Sequence, residues 1–300
     1  MKVLQHSEHT LKTALISQNS ALVSQYDKLD AGERRLMNEA FQPSSNLFGP
    51  ITVHSQSDWI TSHPEVPQDF EQFFTDRHRN IPCPEKNIIY MQSIGALGNT
   101  RVISEQYIQW LKGYCEAFFY GLTVKLLEPV PVSATKCPFR VNEHTQNLQI
   151  HAGRILAFLK KKKPKDAFCI VGITMIDLYP RDSWNFVFGQ ASLTDGVGIF
   201  SFARYGPDFY SSRYEGKVSK PQRTSSSDYS VFDNYYSPEI TSILLWRSCK
   251  ALLRWIDEES NDASRATPRK SSDHVNLRKP VEAFQDWREW IIKCIAVLEK

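Results

Sequence analysis

The sequence predicts an α/β fold: a mixed, twisted sheet with an antiparallel edge strand, flanking helices and a C-terminal helix. Three observations predict it. In residues 167–176, Ala-Phe-Cys-Ile-Val-Gly-Ile-Thr-Met-Ile, only Thr174 is polar, the mark of a strand covered on both faces. Upstream, strand-like residues 86–92 and 123–127 bracket a segment whose apolar positions 107, 108, 111, 114, 115, 118 and 119 repeat with helical period. Strand, helix, strand in that order implies two parallel neighbours. Downstream, strand-like residues 185–191 and 197–202 flank Thr194-Asp195-Gly196, a hairpin-type turn because Asp-Gly tolerates positive φ.

The remaining elements follow in order. Residues 1–29 suit one or two short helices. Asp30-Ala31-Gly32-Glu33 fits a capping box that opens a helix running to about Phe41. From Pro43 to Pro84 the chain reads as loop, interrupted by one amphipathic turn around Phe70–Phe74. Ser104 is placed to cap the helix over 107–119, and Gly121 to end it. Pro129, Pro131 and Pro138 mark an irregular connection, and a second helix is expected from Gln149 to Lys160. Pro238 opens a helix with no Gly and no further Pro from Glu239 to Glu259, so one continuous helix of about five to six turns is expected. Residues 258–280 are charged and Ser-rich and read as a disordered linker, before an amphipathic helix over 281–300. The expected division is an N-terminal region over 1–84, the sheet domain over 85–257, the linker and the closing helix.

Composition excludes several function classes. The net charge of +3 is too mild for a nucleic-acid binder, and about ten residues is the longest apolar run, too short to cross a bilayer. The first residues hold no apolar run of the signal-peptide kind, so a cytoplasmic protein is expected. Lys160–Lys163 could act as a nuclear signal, though lysines also suit a helix C-terminus. The six cysteines stand at least 22 positions apart, with no C-x-x-C pair for redox or zinc chemistry.

The candidate catalytic residues are few. None of the eight histidines stands four positions from another, so no H-E-x-x-H can be drawn. His6 and His9 could share a helix face, but terminal segments are poor metal scaffolds. His144 and His151 flank a helix start, where capping is the simpler role. There is no G-x-S-x-G elbow and no phosphate-binding glycine pattern. Asp177, Asp182 and Asp195 fall near strand ends, where Asp ordinarily forms turns.

Gly172-Ile173-Thr174-Met175-Ile176-Asp177-Leu178-Tyr179-Pro180, then Trp184-Asn185-Phe186-Val187-Phe188-Gly189-Gln190-Ala191, then Gly196-Val197-Gly198-Ile199-Phe200-Ser201, resembles the archaemetzincins, zinc metallopeptidases of the metzincin group. The resemblance implies a metzincin-like sheet whose antiparallel edge strand borders a substrate cleft and binds an extended peptide by strand addition. That strand would be Val197, Gly198, Ile199, Phe200 and Ser201. The resemblance also implies an active-site helix with H-E-x-x-H-x-x-G-x-x-H, a Cys-rich segment with a second zinc, and a Met-containing turn. In the family the residues matching Arg247-Ser248-Cys249-Lys250 lead into that helix; here Ala251-Leu252-Leu253-Arg254-Trp255-Ile256-Asp257 follows, similar to a segment well downstream. The missing stretch is roughly sixty residues and includes the zinc motif, as in an alternatively spliced or deleted form. No catalytic or metal-binding residue is carried over, and no zinc is expected in this chain. The expected partner is an extended peptide, with no nucleic acid and no membrane; the oligomeric state is left open. Two alternatives stand beside an inactive family member. One is an active peptidase that recruits His151, Asp177, Asp182 and Asp195 as ligands; the other is an unstable form without a function of its own.

Overall fold

The computed structural model describes residues 2–42, 47, 51–53, 75, 77, 81–206, 208–211, 214, 216–218, 228–233, 235, 238–257 and 279–298. The chain forms two compact units, Met1–Arg79 with Ala283–Lys300, and Asn80–Glu282. The amphipathic turn expected at Phe70–Phe74 and most of the linker expected at 258–280 lie outside the described residues.

In the first unit, β1 (Lys2–Leu4) pairs antiparallel with β2 (Ile51–Val53). Helices α1 (Glu8–Leu15), α2 (Ser20–Asp27) and α3 (Ala31–Phe41) bury Leu11, Tyr26 and Phe41 together. The capping box forms as expected: Gly32 N and Glu33 N donate to Asp30 Oδ1 at 2.7 and 2.9 Å, and Asp30 N donates back to Glu33 Oε2 at 3.3 Å.

The second unit is built on a five-stranded sheet. Its strands are β3 (Ile88–Ile94), β4 (Thr123–Val130), β7 (Ala167–Thr174), β9 (Gly189–Ser192) and β10 (Val197–Ser201), in the order β4-β3-β7-β10-β9. The first four in that order run parallel: β4, β3 and β7 as the strand–helix alternation predicts, and β10 where an antiparallel strand is expected; β9 alone is antiparallel. Thr174, the one polar residue of the apolar run, is fully buried, and its Oγ1 accepts from Ile176 N at 3.1 Å, where the strand ends. A three-stranded sheet, β5 (Phe139–Val141), β6 (Leu148–His151) and β8 (Asp177–Tyr179), stands beside the first; the sequence reading places no strand at 139–141 or 148–151.

Helix α4 (Arg101–Phe118) is capped by Thr100, whose Oγ1 accepts from Ile103 N at 3.2 Å. Ser104 is not the cap; it lies inside the helix and donates to Thr100 O at 2.9 Å. Pro131 precedes the one-turn helix α5 (Val132–Thr135). Helix α6 (Ala152–Lys162) starts three residues later than expected, because Gln149 and Ile150 are held in β6 and His151 takes the cap. Helix α7 (Ser242–Asp257) starts at Ser242, not at Pro238: Thr241 Oγ1 accepts from Leu244 N at 3.1 Å and supplies the cap. It runs through Cys249–Leu252 without interruption, as the continuous apolar pattern requires. The closing helix divides at Phe284 into α8 (Pro280–Ala283) and α9 (Gln285–Leu298). In the first unit α9 lies on α3, with Trp290 Nε1 donating to Leu36 O at 3.3 Å. No described helix is long and apolar enough to cross a membrane.

Two layers cover the large sheet. Ile170, Val197 and Ile199 share one cluster with Ile155 and Leu159 of α6. The approach is close at Gly172, where a Cβ would come within 2.8 Å of Ile199 and 2.9 Å of Leu159. On the other face α4 packs against α7, joined by a buried hydrogen bond from Tyr107 Oη to Ser248 Oγ at 2.6 Å. Burial pushes the thiols of this layer up, Cys249 to about 12 and Cys115 further. Only a thiolate attacks a disulfide reagent. Exposed Cys83 is therefore expected to react promptly with Ellman's reagent at pH 8, and Cys115 and Cys249 only on unfolding. Prompt labelling of Cys249, mapped by mass spectrometry, would show that the α4–α7 layer opens in the native state.

The strand order corrects one expectation. Val197–Ser201 is not the edge: β10 lies between β7 and β9, and all five of its residues are buried. A strand that is covered along its whole length fits an interior position. The half-buried β9, Gly-Gln-Ala-Ser, takes the edge.

Candidate functional site

The edge strand β9 is laid down by its hairpin with β10. The connecting turn is closed by Gly196 N donating to Leu193 O at 2.9 Å, with Gly196 at φ +61°. Asp195 secures the turn to α6: its carboxylate meets Lys160 Nζ at 2.7 Å and Ser192 Oγ at 3.1 Å, and its carbonyl accepts from Lys163 Nζ at 2.8 Å. The Lys160 ammonium holds the Asp195 carboxyl below the usual carboxylate range, while burial lowers the Lys163 ammonium.

Hydrogen bonding alternates along an antiparallel pair. Ser201 N donates to Phe188 O at 2.8 Å, and Gly189 stands opposite Phe200. Residues 188, 190 and 192 therefore bond inward to β10, and the backbone N–H and C=O of Gly189 and Ala191 point away from the sheet. Two glycines make room for the ring that floors this edge. A Cβ on Gly189 would lie 1.9 Å from Phe200 Cδ1, and one on Gly198 2.8 Å from Phe200 Cε2. The buried ring thus lies across both positions.

The two edges of the sheet differ. Proteins block exposed edges with charges and prolines. Edge strand β4 carries Lys125, Glu128 and Pro129, whereas β9 carries no charge and no proline. Among the described residues, β9 is thus the unguarded edge, with the backbone groups of Gly189 and Ala191 turned outward.

The acidic and histidine candidates do not converge. Asp177 is buried and fully engaged: Arg204 Nε and Nη2 each reach one of its oxygens at 2.7 Å, and Gln149 Nε2 reaches Oδ2 at 2.8 Å. The guanidinium lies 3.4 Å from the Phe186 ring centroid and 4.8 Å from that of Phe209. Burial works most strongly against its charge, but the hydrogen bond to Asp177, the charge of Asp177 and the contribution of Tyr210 together outweigh it, leaving Arg204 above its ordinary range. Asp182 contributes its carbonyl, which accepts from Arg140 Nη1 at 2.8 Å. His151 caps α6 through Nδ1 and lies edge-on to Tyr179 at 5.0 Å. His144 sits in a turn, its N–H donating to Asn142 Oδ1 at 2.9 Å, and His6 and His9 are exposed in the other unit. Among the described residues, no three His, Cys, Asp or Glu side chains are grouped so that they could hold a metal ion. The donors among the described residues do not by themselves make the ligand set that the family resemblance implies. The Arg204–Asp177–Gln149 network escaped the sequence reading because its members are 27 and 28 positions apart and carry no local pattern.

No family model matches the chain. It is 66% identical to archaemetzincin-2 of Rattus norvegicus over 359 residues, covering all of both chains. The alignment's 359 residues against this chain's 300 leave a difference of 59. Archaemetzincin-1 of Mus musculus is 38% identical over 200 residues, 66% of this chain and 39% of that one. The crystal structure of archaemetzincin from Methanopyrus kandleri covers 59% of this chain and 98% of its own, at 17% identity and a TM-score of 0.30. Identity along the whole length of archaemetzincin-2 settles the relationship: the chain belongs to the archaemetzincin family.

Proposed function

We propose that this chain is an archaemetzincin-family member that has lost peptide-bond hydrolysis and retains an edge, Gly189–Ser192, that holds an extended peptide. The observation that carries it is the difference of 59 between the alignment and the chain. Its size matches the stretch that the resemblance places after Lys250, which includes the three histidines and the glutamate of the motif. The unbroken course of α7 across Cys249–Leu252 agrees with a direct join at that point. A catalytic zinc needs three rigid ligands and a carboxylate to activate its water. Asp177 is spent on Arg204 and Gln149, and Asp195 on Lys160 and Ser192. What supports peptide holding is β9 itself: an edge without charge or proline, with the backbone groups of two residues turned outward. An antiparallel peptide beside it would gain main-chain hydrogen bonds with no chemistry to follow.

Elemental analysis tests the loss of hydrolysis. The purified full chain, dialysed against a weak chelator, is expected to hold well under one zinc per molecule and to leave a peptide library uncut with or without added zinc. Retention of about one zinc per chain, with metal-dependent cleavage, would restore the enzyme reading.

A further inference from the structure

We propose that Trp184 is the specificity anchor of this peptide site, taking a bulky apolar side chain of the bound peptide beyond the Gly189 end of the edge. The inference rests on the reading of β9 as the acceptor strand.

Loops ordinarily run loosely over the surface. The loop that leads from β8 into β9 is instead tied down by side chains of the smaller sheet. Arg140, on β5, donates Nη1 to Asp182 O at 2.8 Å and Nη2 to Trp184 O and to Asn185 O, the last at 3.2 Å. Its Nε goes to Gln149 Oε1 at 2.9 Å, and its guanidinium lies 4.1 Å from the Tyr179 ring centroid. Asn142 Nδ2 and Gln149 Nε2 add bonds to Asn185 O at 3.0 and 2.9 Å. Trp184 N closes the turn on Arg181 O at 3.0 Å.

Almost all of these bonds grip main-chain carbonyls, so they fix the backbone on either side of Trp184. They do not bury the indole, which stays 42% exposed. The arrangement does little for the core: a large apolar side chain is held still and left facing solvent. An aromatic ring with two side-chain torsions on a fixed backbone can be covered with little further loss of entropy, and such residues dominate binding energy at interfaces. Four positions separate Trp184 from Phe188, whose carbonyl already bonds β10. The ring's backbone is thus within about 14 Å of the start of the edge, inside the reach of a peptide lying along Gly189 and Ala191. A peptide without an apolar side chain at that end would gain nothing from it.

The test uses fluorescein-labelled synthetic octapeptides of alternating Thr and Val, flanked at either end by Leu, Trp or Gly, titrated with the full chain and followed by anisotropy. Peptides flanked by Leu or Trp are expected to bind roughly tenfold tighter than those flanked by Gly. Trp184→Ala should erase that preference and leave the Gly-flanked peptide unchanged, while Trp184→Phe keeps most of it. Ala191→Pro removes an outward N–H and leaves the ladder to β10 intact; it should abolish binding of every peptide at unchanged melting temperature. A flank preference that survives Trp184→Ala overturns the anchor and leaves the edge reading standing. Binding that survives Ala191→Pro, or no binding to the folded wild-type chain, overturns the edge reading and the anchor with it.

Discussion

Asp177→Ala is expected to lower the unfolding free energy by about 3–5 kcal/mol, read from urea denaturation at neutral pH. Asp177 and Arg204 are both buried, the side chains at 1% and 2% exposure, and joined through two 2.7 Å hydrogen bonds. Removing the carboxylate strands a guanidinium among Phe186 and Phe209, with only Tyr210 Oη among the described residues, at 3.2 Å, still accepting from it, and frees Gln149 Nε2 from its closest acceptor. An unpaired buried charge is costly, whereas replacing the whole pair with apolar groups is often close to neutral. The double variant Asp177→Leu with Arg204→Met should therefore recover much of the loss. The pair links β8 of the smaller sheet to the segment just after β10, so what it holds together is the floor beside the edge strand. A loss under about 1 kcal/mol for Asp177→Ala would mean that the guanidinium escapes to water and that the pair does not tie the two sheets.

Ala251→Pro is expected to cost at least about 3 kcal/mol, because proline inside a helix removes one hydrogen bond and its ring meets the carbonyl of residue i−4. Ala251 lies in the interior of α7, at the point where the family resemblance places the join. A break there would also pull fully buried Leu252 from its seat. Ser242→Pro is the control: it falls at the first position of the same helix, where proline is tolerated. Equal melting temperatures for the two variants would show that the helix ends before Ala251 and that the join is not helical.

What the sequence by itself determined are the features set by near neighbours. The capping box at Asp30 needs only residues three apart, and it forms. The Asp195-Gly196 turn needs one residue at positive φ, and it forms. The apolar run at 167–174 is a strand because nothing in it before Thr174 seeks water, and the period through 107–119 is a helix because one face of it does. Family membership was legible too, since the block from Gly172 to Ser201 carries the likeness in its residues.

The tertiary structure decided what depends on contacts between distant parts of the chain. A hairpin shows that β9 and β10 are neighbours; it does not show which of them lies inside. That choice fell to packing: Ile199 and Val197 meet α6, Phe200 needs the space left by Gly189 and Gly198, and so β10 is drawn between β7 and β9. The edge therefore moved from Val197–Ser201 to Gly189–Ser192. The strands at 139–141 and 148–151 are too short to show a period of their own and exist through pairing with each other and with β8. His151 took the cap of the helix that follows it, whereas Asp182 was claimed by Arg140, Asp195 by Lys160 and Asp177 by Arg204, each from a distant part of the chain. A carboxylate is bound by whichever donor folding brings near it, and that donor's position is set by the packing of the whole unit rather than by the residues on either side.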